Sequence, residues 1–181
     1  MKTHLTLLLS IGLLIISCDR NNDDMQLGAG FEIYKVDTTY FHYSNNDYST
    51  LDLDTIALKD TPILRYEDLI KYDTCSHKLT IGISHDSLKI TWSSNSDQNF
   101  GSMFMVTLDS EPIYCGWFVP GSWSNPCNWV HIEEPIYEFD SLEDNEVVIS
   151  FRYESERWQK YPDPRLDPRI VERLAKDGKI E

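Results

Sequence analysis

Short runs in which apolar and polar residues alternate recur along this chain, and that period of two commits most of it to β-structure. Phe31-Glu32-Ile33-Tyr34-Lys35-Val36 and Leu51-Asp52-Leu53-Asp54-Thr55-Ile56 each read as a half-buried strand, with the turn cluster Asn45-Asn46-Asp47 between them. Leu79-Thr80-Ile81-Gly82-Ile83 alternates as well. Residues 103–108 are nearly all apolar, as suits a strand covered on both faces. Residues 113–119 and 129–132 read as strands on either side of Pro120-Gly121-Ser122-Trp123-Ser124-Asn125-Pro126, and residues 147–153 as a last strong strand.

Helical signals are fewer. Tyr66-Glu67-Asp68-Leu69-Ile70-Lys71-Tyr72 carries two acids early, which suits the positive end of a helix. Residues 85–92 fit either period. The tail is clearer: Asp167 can cap, Pro168 takes the first helical position, Ile170, Val171 and Leu174 form one stripe, and Gly178 ends the helix. Before it, three prolines in residues 161–169 deny the chain regular hydrogen bonding, so this part should run extended across the surface. Its two Asp-Pro-Arg units set Arg165 and Arg169 beside Asp163 and Asp167, a better pattern for strapping the tail down than for gripping an anion. The expected fold is a single α+β domain over residues 31–181, mostly antiparallel sheet with two or three short helices.

Ahead of the domain, Lys2 precedes an apolar run from Leu5 to Ile16, too short to span a bilayer, which takes about 20 residues. It closes on Leu14-Ile15-Ile16-Ser17-Cys18. This segment resembles the lipobox of bacterial lipoproteins, in which the cysteine receives a diacylglycerol and becomes the new N-terminus. The resemblance implies a signal peptide at residues 1–17, lipidation of Cys18, and a protein held in the cell envelope. Each buried methylene contributes about 0.8 kcal/mol, so two or three acyl chains would anchor it durably. Residues 18–30 begin with a polar, acidic stretch and read as a flexible tether. Acids just after the cysteine also resemble the export tag of Bacteroidota surface lipoproteins, which leaves two placements on the outer membrane open, surface-facing or periplasm-facing.

Charge excludes one class of partner. Without the leader's single charge at Lys2, 15 basic residues face 30 acidic ones, a balance of −15. That surface repels phosphate backbones, so no nucleic acid is expected as a partner; cationic partners or divalent ions would suit it better. With 5 Trp, 10 Tyr and 7 Phe, most of the chain is too aromatic to stay disordered. If Cys18 is acylated, Cys75, Cys115 and Cys127 remain. Should the segments around residues 120–126 pair as a hairpin, Cys115 and Cys127 would meet in a disulfide worth about 2–3 kcal/mol.

Two wider likenesses follow from particular residues. Thr61-Pro62-Ile63-Leu64, Asp68-Leu69-Ile70, His77-Lys78-Leu79-Thr80-Ile81 and the tail Asp163-Pro164-Arg165-Leu166-Asp167-Pro168-Arg169-Ile170 together resemble a family of uncharacterised bacterial secreted and lipid-anchored proteins. More distantly, Pro62-Ile63-Leu64 and Val106-Thr107-Leu108-Asp109-Ser110-Glu111-Pro112-Ile113 look like the head part of the first periplasmic domain of SecD. That likeness implies an α+β fold but not the SecD function, since the chain lacks the membrane helices that couple export to the proton gradient. Arg65 also replaces the small polar cap expected before the first helix. Neither likeness brings catalytic residues.

Nor do the residues themselves spell out a reaction. His42, His77, His85 and His131 sit in no metal-ligand spacing, so neither a metal nor another cofactor is expected. Ser84-His85-Asp86 holds triad residue types, but sequence neighbours point apart and triads assemble from distant positions. Glu133-Glu134, Asp52/Asp54 and Glu143-Asp144 read as solvated acids rather than a calcium or glycosidase site. Trp123, in the middle of its loop, is the residue best placed to contact a ligand, by stacking on a sugar or anchoring a protein. The expected function is a non-catalytic interaction or binding module of the envelope. A surface lipoprotein that binds glycan through Trp123 comes second and an enzyme third.

Overall fold

The computed structural model describes residues 28–37, 48–88, 102–120, 127, 129–134, 143–151 and 162–181. The leader, Cys18, most of the tether, the Asn45-Asn46-Asp47 cluster, His42 and Trp123 lie outside the described residues.

Among the described residues, nine strands form two sheets. They are β1 (Phe31–Val36), β2 (Leu58–Leu64), β3 (Leu69–Asp73), β4 (Lys78–Ile81), β5 (Ser102–Leu108), β6 (Glu111–Pro120), β7 (Val130–Glu134), β8 (Glu146–Val148) and β9 (Ser150–Phe151). The larger sheet runs β2-β1-β5-β6-β7-β9 and the smaller β3-β4-β8. Every pairing is antiparallel except β6 with β7. In the described residues, one α-helix (Pro168–Lys176), helical residues 85–88 and several 3-10 turns complete an α+β fold that is mostly sheet, as expected.

The most apolar run lies at the centre. In β5 all residues from Met103 to Leu108 are buried, because β1 and β6 flank the strand and packing covers both its faces. Gly116 of β6 sits opposite Phe104 of β5 and leaves room for that ring. Strand β1 is buried more fully than its alternation suggests, Glu32 and Tyr34 included. The Glu32 carboxylate is satisfied internally, accepting from the Gly28 amide at 2.9 Å and the Tyr34 hydroxyl at 2.7 Å.

Three local expectations need correction. Residues 51–56 make a 3-10 turn (Leu53–Thr55), and the edge strand is β2 instead. Pro62 hides β2 in the sequence, since proline cannot donate to a ladder; an outermost strand with a register break on either side of the Tyr34–Pro62 pair accommodates it. Residues 66–72 form one 3-10 turn (Tyr66–Asp68) and then β3. Arg65 provides no side-chain cap, and Leu69 and Tyr72 bury into the core while Ile70 and Lys71 face out. The tail before the helix does not run fully extended but makes a 3-10 turn at Pro164–Leu166.

The last expected strand divides in two. Residues 146–148 belong to the smaller sheet and residues 150–151 to the larger, so the chain changes sheets at Ile149, which is fully buried. The C-terminal helix forms as its sequence dictates. Asp167 caps it by accepting from the Arg169 amide, Pro168 opens it, Ile170 and Leu174 bury, and Gly178 follows at φ +70°. Ile180 then bridges to Tyr72 at the outer side of β3. Among the described residues, no helix is long and apolar enough to cross a membrane.

Candidate binding groove

The two Asp-Pro-Arg units fold alike. In each, the aspartate caps a turn by accepting from the amide of the arginine two residues on, proline takes the first position, and the guanidinium folds back onto the same carboxylate. Arg165 Nε lies 2.9 Å from Asp163 Oδ1 and Arg169 Nε 2.9 Å from Asp167 Oδ1. Their surroundings differ. Arg165 is largely enclosed, donates to the Ile149 carbonyl at 2.7 Å and lies over the Phe151 ring, whereas Arg169 is half exposed. Arg165 thereby ties the tail to the body at Ile149 and Phe151, whereas Arg169 is held mainly by its own Asp167.

Beneath Arg165 lies a buried polar group. His77, at φ +56°, has Nδ1 2.7 Å from the Tyr72 hydroxyl and Nε2 3.7 Å from Asp163 Oδ2. The Tyr72 hydroxyl also donates to the Arg165 carbonyl at 3.3 Å. A hydroxyl has one proton, so meeting both bonds at once requires the tautomer with the proton on Nδ1. Burial, then the nearby Arg165 charge, hold the His77 pKa below its ordinary 6.5. Burial pushes the Asp163 carboxyl up, but the hydrogen bonds and charge of Arg165 outweigh it and hold the group below its ordinary value.

On the other side of Asp163 the strap roofs a groove of about 310 Å³. Its floor is Ile113, Tyr114 and Cys115 of β6 with Trp129, the residue leading into β7. Tyr48, Ser49, Leu51 and Leu53 form one wall. Pro162, Asp163, Pro164, Leu166, Asp167 and Pro168 form the roof. The indole nitrogen of the floor is already used: Trp129 Nε1 donates to the Cys115 carbonyl at 2.9 Å. Burial lifts the Tyr114 phenol well above its ordinary value and the Cys115 thiol to about 12, so both stay neutral. The Asp167 carboxyl is lowered by its Arg169 bonds. Tyr114, Cys115, Asp163 and Asp167 of the lining are thus all shifted away from neutral.

The parallel pairing of β6 and β7 corrects the expected Cys115–Cys127 disulfide. Both cysteines are buried free thiols. A hairpin would have turned the two toward each other, but the observed register sets Trp117 against His131, which carries Trp129, not Cys127, to the level of Cys115. Cys127 Sγ instead donates to the Trp129 carbonyl. Cys75 is free and exposed.

The other sequence candidates do not converge. His85 is buried, with Nε2 2.6 Å from the Glu146 carbonyl, while Ser84 bonds Ser87, so Ser84-His85-Asp86 forms no triad. His131 is buried with Nδ1 3.0 Å from the Trp129 carbonyl. Asp52 and Asp54 are exposed beside the groove wall. Among the described residues no three His, Cys, Asp or Glu side chains cluster as metal ligands. Sequence reasoning weighed His77 only as one of four histidines and missed its pairing with Tyr72 and the wall from Tyr48 to Leu53; the repeated Asp-Pro-Arg was the signal that pointed to the region. No protein-family model, curated protein or solved structure matches the chain.

Proposed function

We propose that this is a lipid-anchored protein of the bacterial cell envelope whose folded part is a non-catalytic binding module, with the strap-roofed groove as its binding site. The lipobox-like Leu14-Ile15-Ile16-Ser17-Cys18 supports the anchor. The observation that carries the binding reading is the lining of the groove: aliphatic and aromatic side chains, with carboxylates already paired to their own arginines and neutral groups held far from titration. Binding sites combine such an apolar lining with few polar groups, whereas acid–base catalysis requires a group near its pKa at working pH.

Two experiments test this. Cys18→Ala should release the protein from the membrane into the soluble fraction; unchanged retention refutes the anchor. A photo-crosslinking side chain placed at Leu53 should capture an envelope component in native membranes. Capture that is equal from a position far from the groove, such as Lys59, refutes the site.

A further inference from the structure

Resting on the groove as the binding site, we infer that its occupant is a short segment of a partner protein in which apolar side chains alternate with lysine or arginine. The groove's centre and its rim ask for different chemistry. At the centre, Ile113, Trp129 and Leu53 present carbon, and the indole N–H is already spent on a backbone carbonyl. Leu166 lines the same groove while remaining 44% exposed, one of two large hydrophobic side chains so exposed among the described residues. A hydroxyl-rich ligand would lose its water there without gaining partners.

The rim is negative. Asp52 and Asp54 are exposed chain neighbours of the wall residues Leu51 and Leu53, and among the described residues no cation pairs with either. Among the described residues Glu111, 76% exposed by its side chain, meets only the far edge of Arg169, at 4.0 Å. Among the described residues, the cations beside the lining, Arg165 and Arg169, offer no compensating attraction for an anion, because each grips its own aspartate. An apolar slot inside an acidic collar, on a chain of net charge −14, complements a cationic segment with apolar side chains. At about 310 Å³ the groove holds a few such side chains rather than a whole domain.

The test is fluorescence polarisation of the purified lipidated protein with labelled octapeptides, blanked against the same detergent alone. The probes alternate lysine with leucine, glutamate with leucine, and lysine with serine. We expect saturable binding of the lysine–leucine peptide only, weakened about fivefold or more by Leu53→Ser and by the pair Asp52→Asn and Asp54→Asn, and weakened by added salt. Equal binding of the lysine–serine peptide, or no effect of Leu53→Ser, reduces the attraction to general surface charge and overturns the inference. Preferred binding of the glutamate–leucine peptide overturns it while leaving the groove as a binding site. A concentration-dependent dimer abolished by Leu166→Ser assigns the groove to a second copy of this chain and also overturns it. Failure of every peptide together with failure of the Leu53 crosslink overturns both this inference and the binding-module reading.

Discussion

Arg165 Nη1 donates a 2.7 Å hydrogen bond to the carbonyl of Ile149, the residue at which the chain leaves one sheet for the other. A break between strands orphans backbone groups, and here both are met: the Ile149 amide donates to the His77 carbonyl at 3.0 Å while its oxygen takes Arg165. The strap therefore closes the joint between the sheets. Arg165→Ala would leave a buried carbonyl and the Asp163 carboxylate without their partner, and we expect a loss of about 2–4 kcal/mol. The sequence-equivalent Arg169→Ala removes an exposed pair and should cost under about 1 kcal/mol. Urea unfolding of the two variants side by side decides it; equal losses would deny the strap its role.

The buried histidine sets a pH dependence. The His77 pKa is lowered in the fold, by burial first and by Arg165 second, against the pull of Asp163 and Asp73. Below its ordinary 6.5 the unfolded chain takes up a proton that the folded chain resists, so stability falls as pH drops through that value. The carboxyls of Asp109, Asp163, Asp167, Asp177 and Glu146 are held low, so their contribution is intact above the ordinary carboxylate range and disappears in acid. Thermal midpoints should be level above about pH 7, decline from about pH 6.5, and fall again below about pH 4. His77→Asn should flatten the upper step alone, because asparagine tolerates the positive φ. An unchanged upper step in that variant would place its origin elsewhere.

Gly116 is a packing residue. A Cβ there would drive into the Phe104 ring, which has no accessible surface and itself meets Phe118 at a centroid distance of 5.0 Å. Gly116→Ala should cost about 1–3 kcal/mol through overpacking. Adding Phe104→Leu should recover part of that loss, and the double-mutant cycle measures the coupling.

Capping of the C-terminal helix can be read the same way. Asp167→Ala removes the acceptor of the Arg169 amide and should lower stability by about 1 kcal/mol. Asp167→Ser keeps an N-cap and should cost less. Equal losses would show that the Arg169 ion pair, not the cap, is what Asp167 contributes.

Thiol accessibility tests the parallel pairing. In non-reducing conditions Cys75 should react with iodoacetamide in the folded protein, whereas Cys115 and Cys127 should react only after unfolding. Mass spectrometry that finds Cys115 linked to Cys127 would require a different register between β6 and β7.

The fold class, β1, β4, β5, β6 and the capped helix were legible because their signals are local: a period of two, an unbroken apolar run, or a cap at fixed spacing. What failed depended on distant partners. Residues 51–56 alternate like a strand, but β2 took the edge position beside β1 despite Pro62. Leu69 and Tyr72 fit one helical face as well as a bulged strand, and pairing with β4 decided between them. The hairpin expected around residues 120–126 failed for the same reason, since nothing local distinguishes a strand that returns antiparallel from one that joins in parallel. Of the groove, only the Asp-Pro-Arg tail was visible; Tyr48, Ile113 and Trp129 reach it through tertiary packing alone.

The edge at β2 bears on how copies of this protein behave when crowded. Pro62 lacks an amide hydrogen, and the register slips on both sides of it, so the outermost line of donors and acceptors is interrupted. That margin offers no long, flat template, and molecules packed shoulder to shoulder along it should resist zipping together into fibrils.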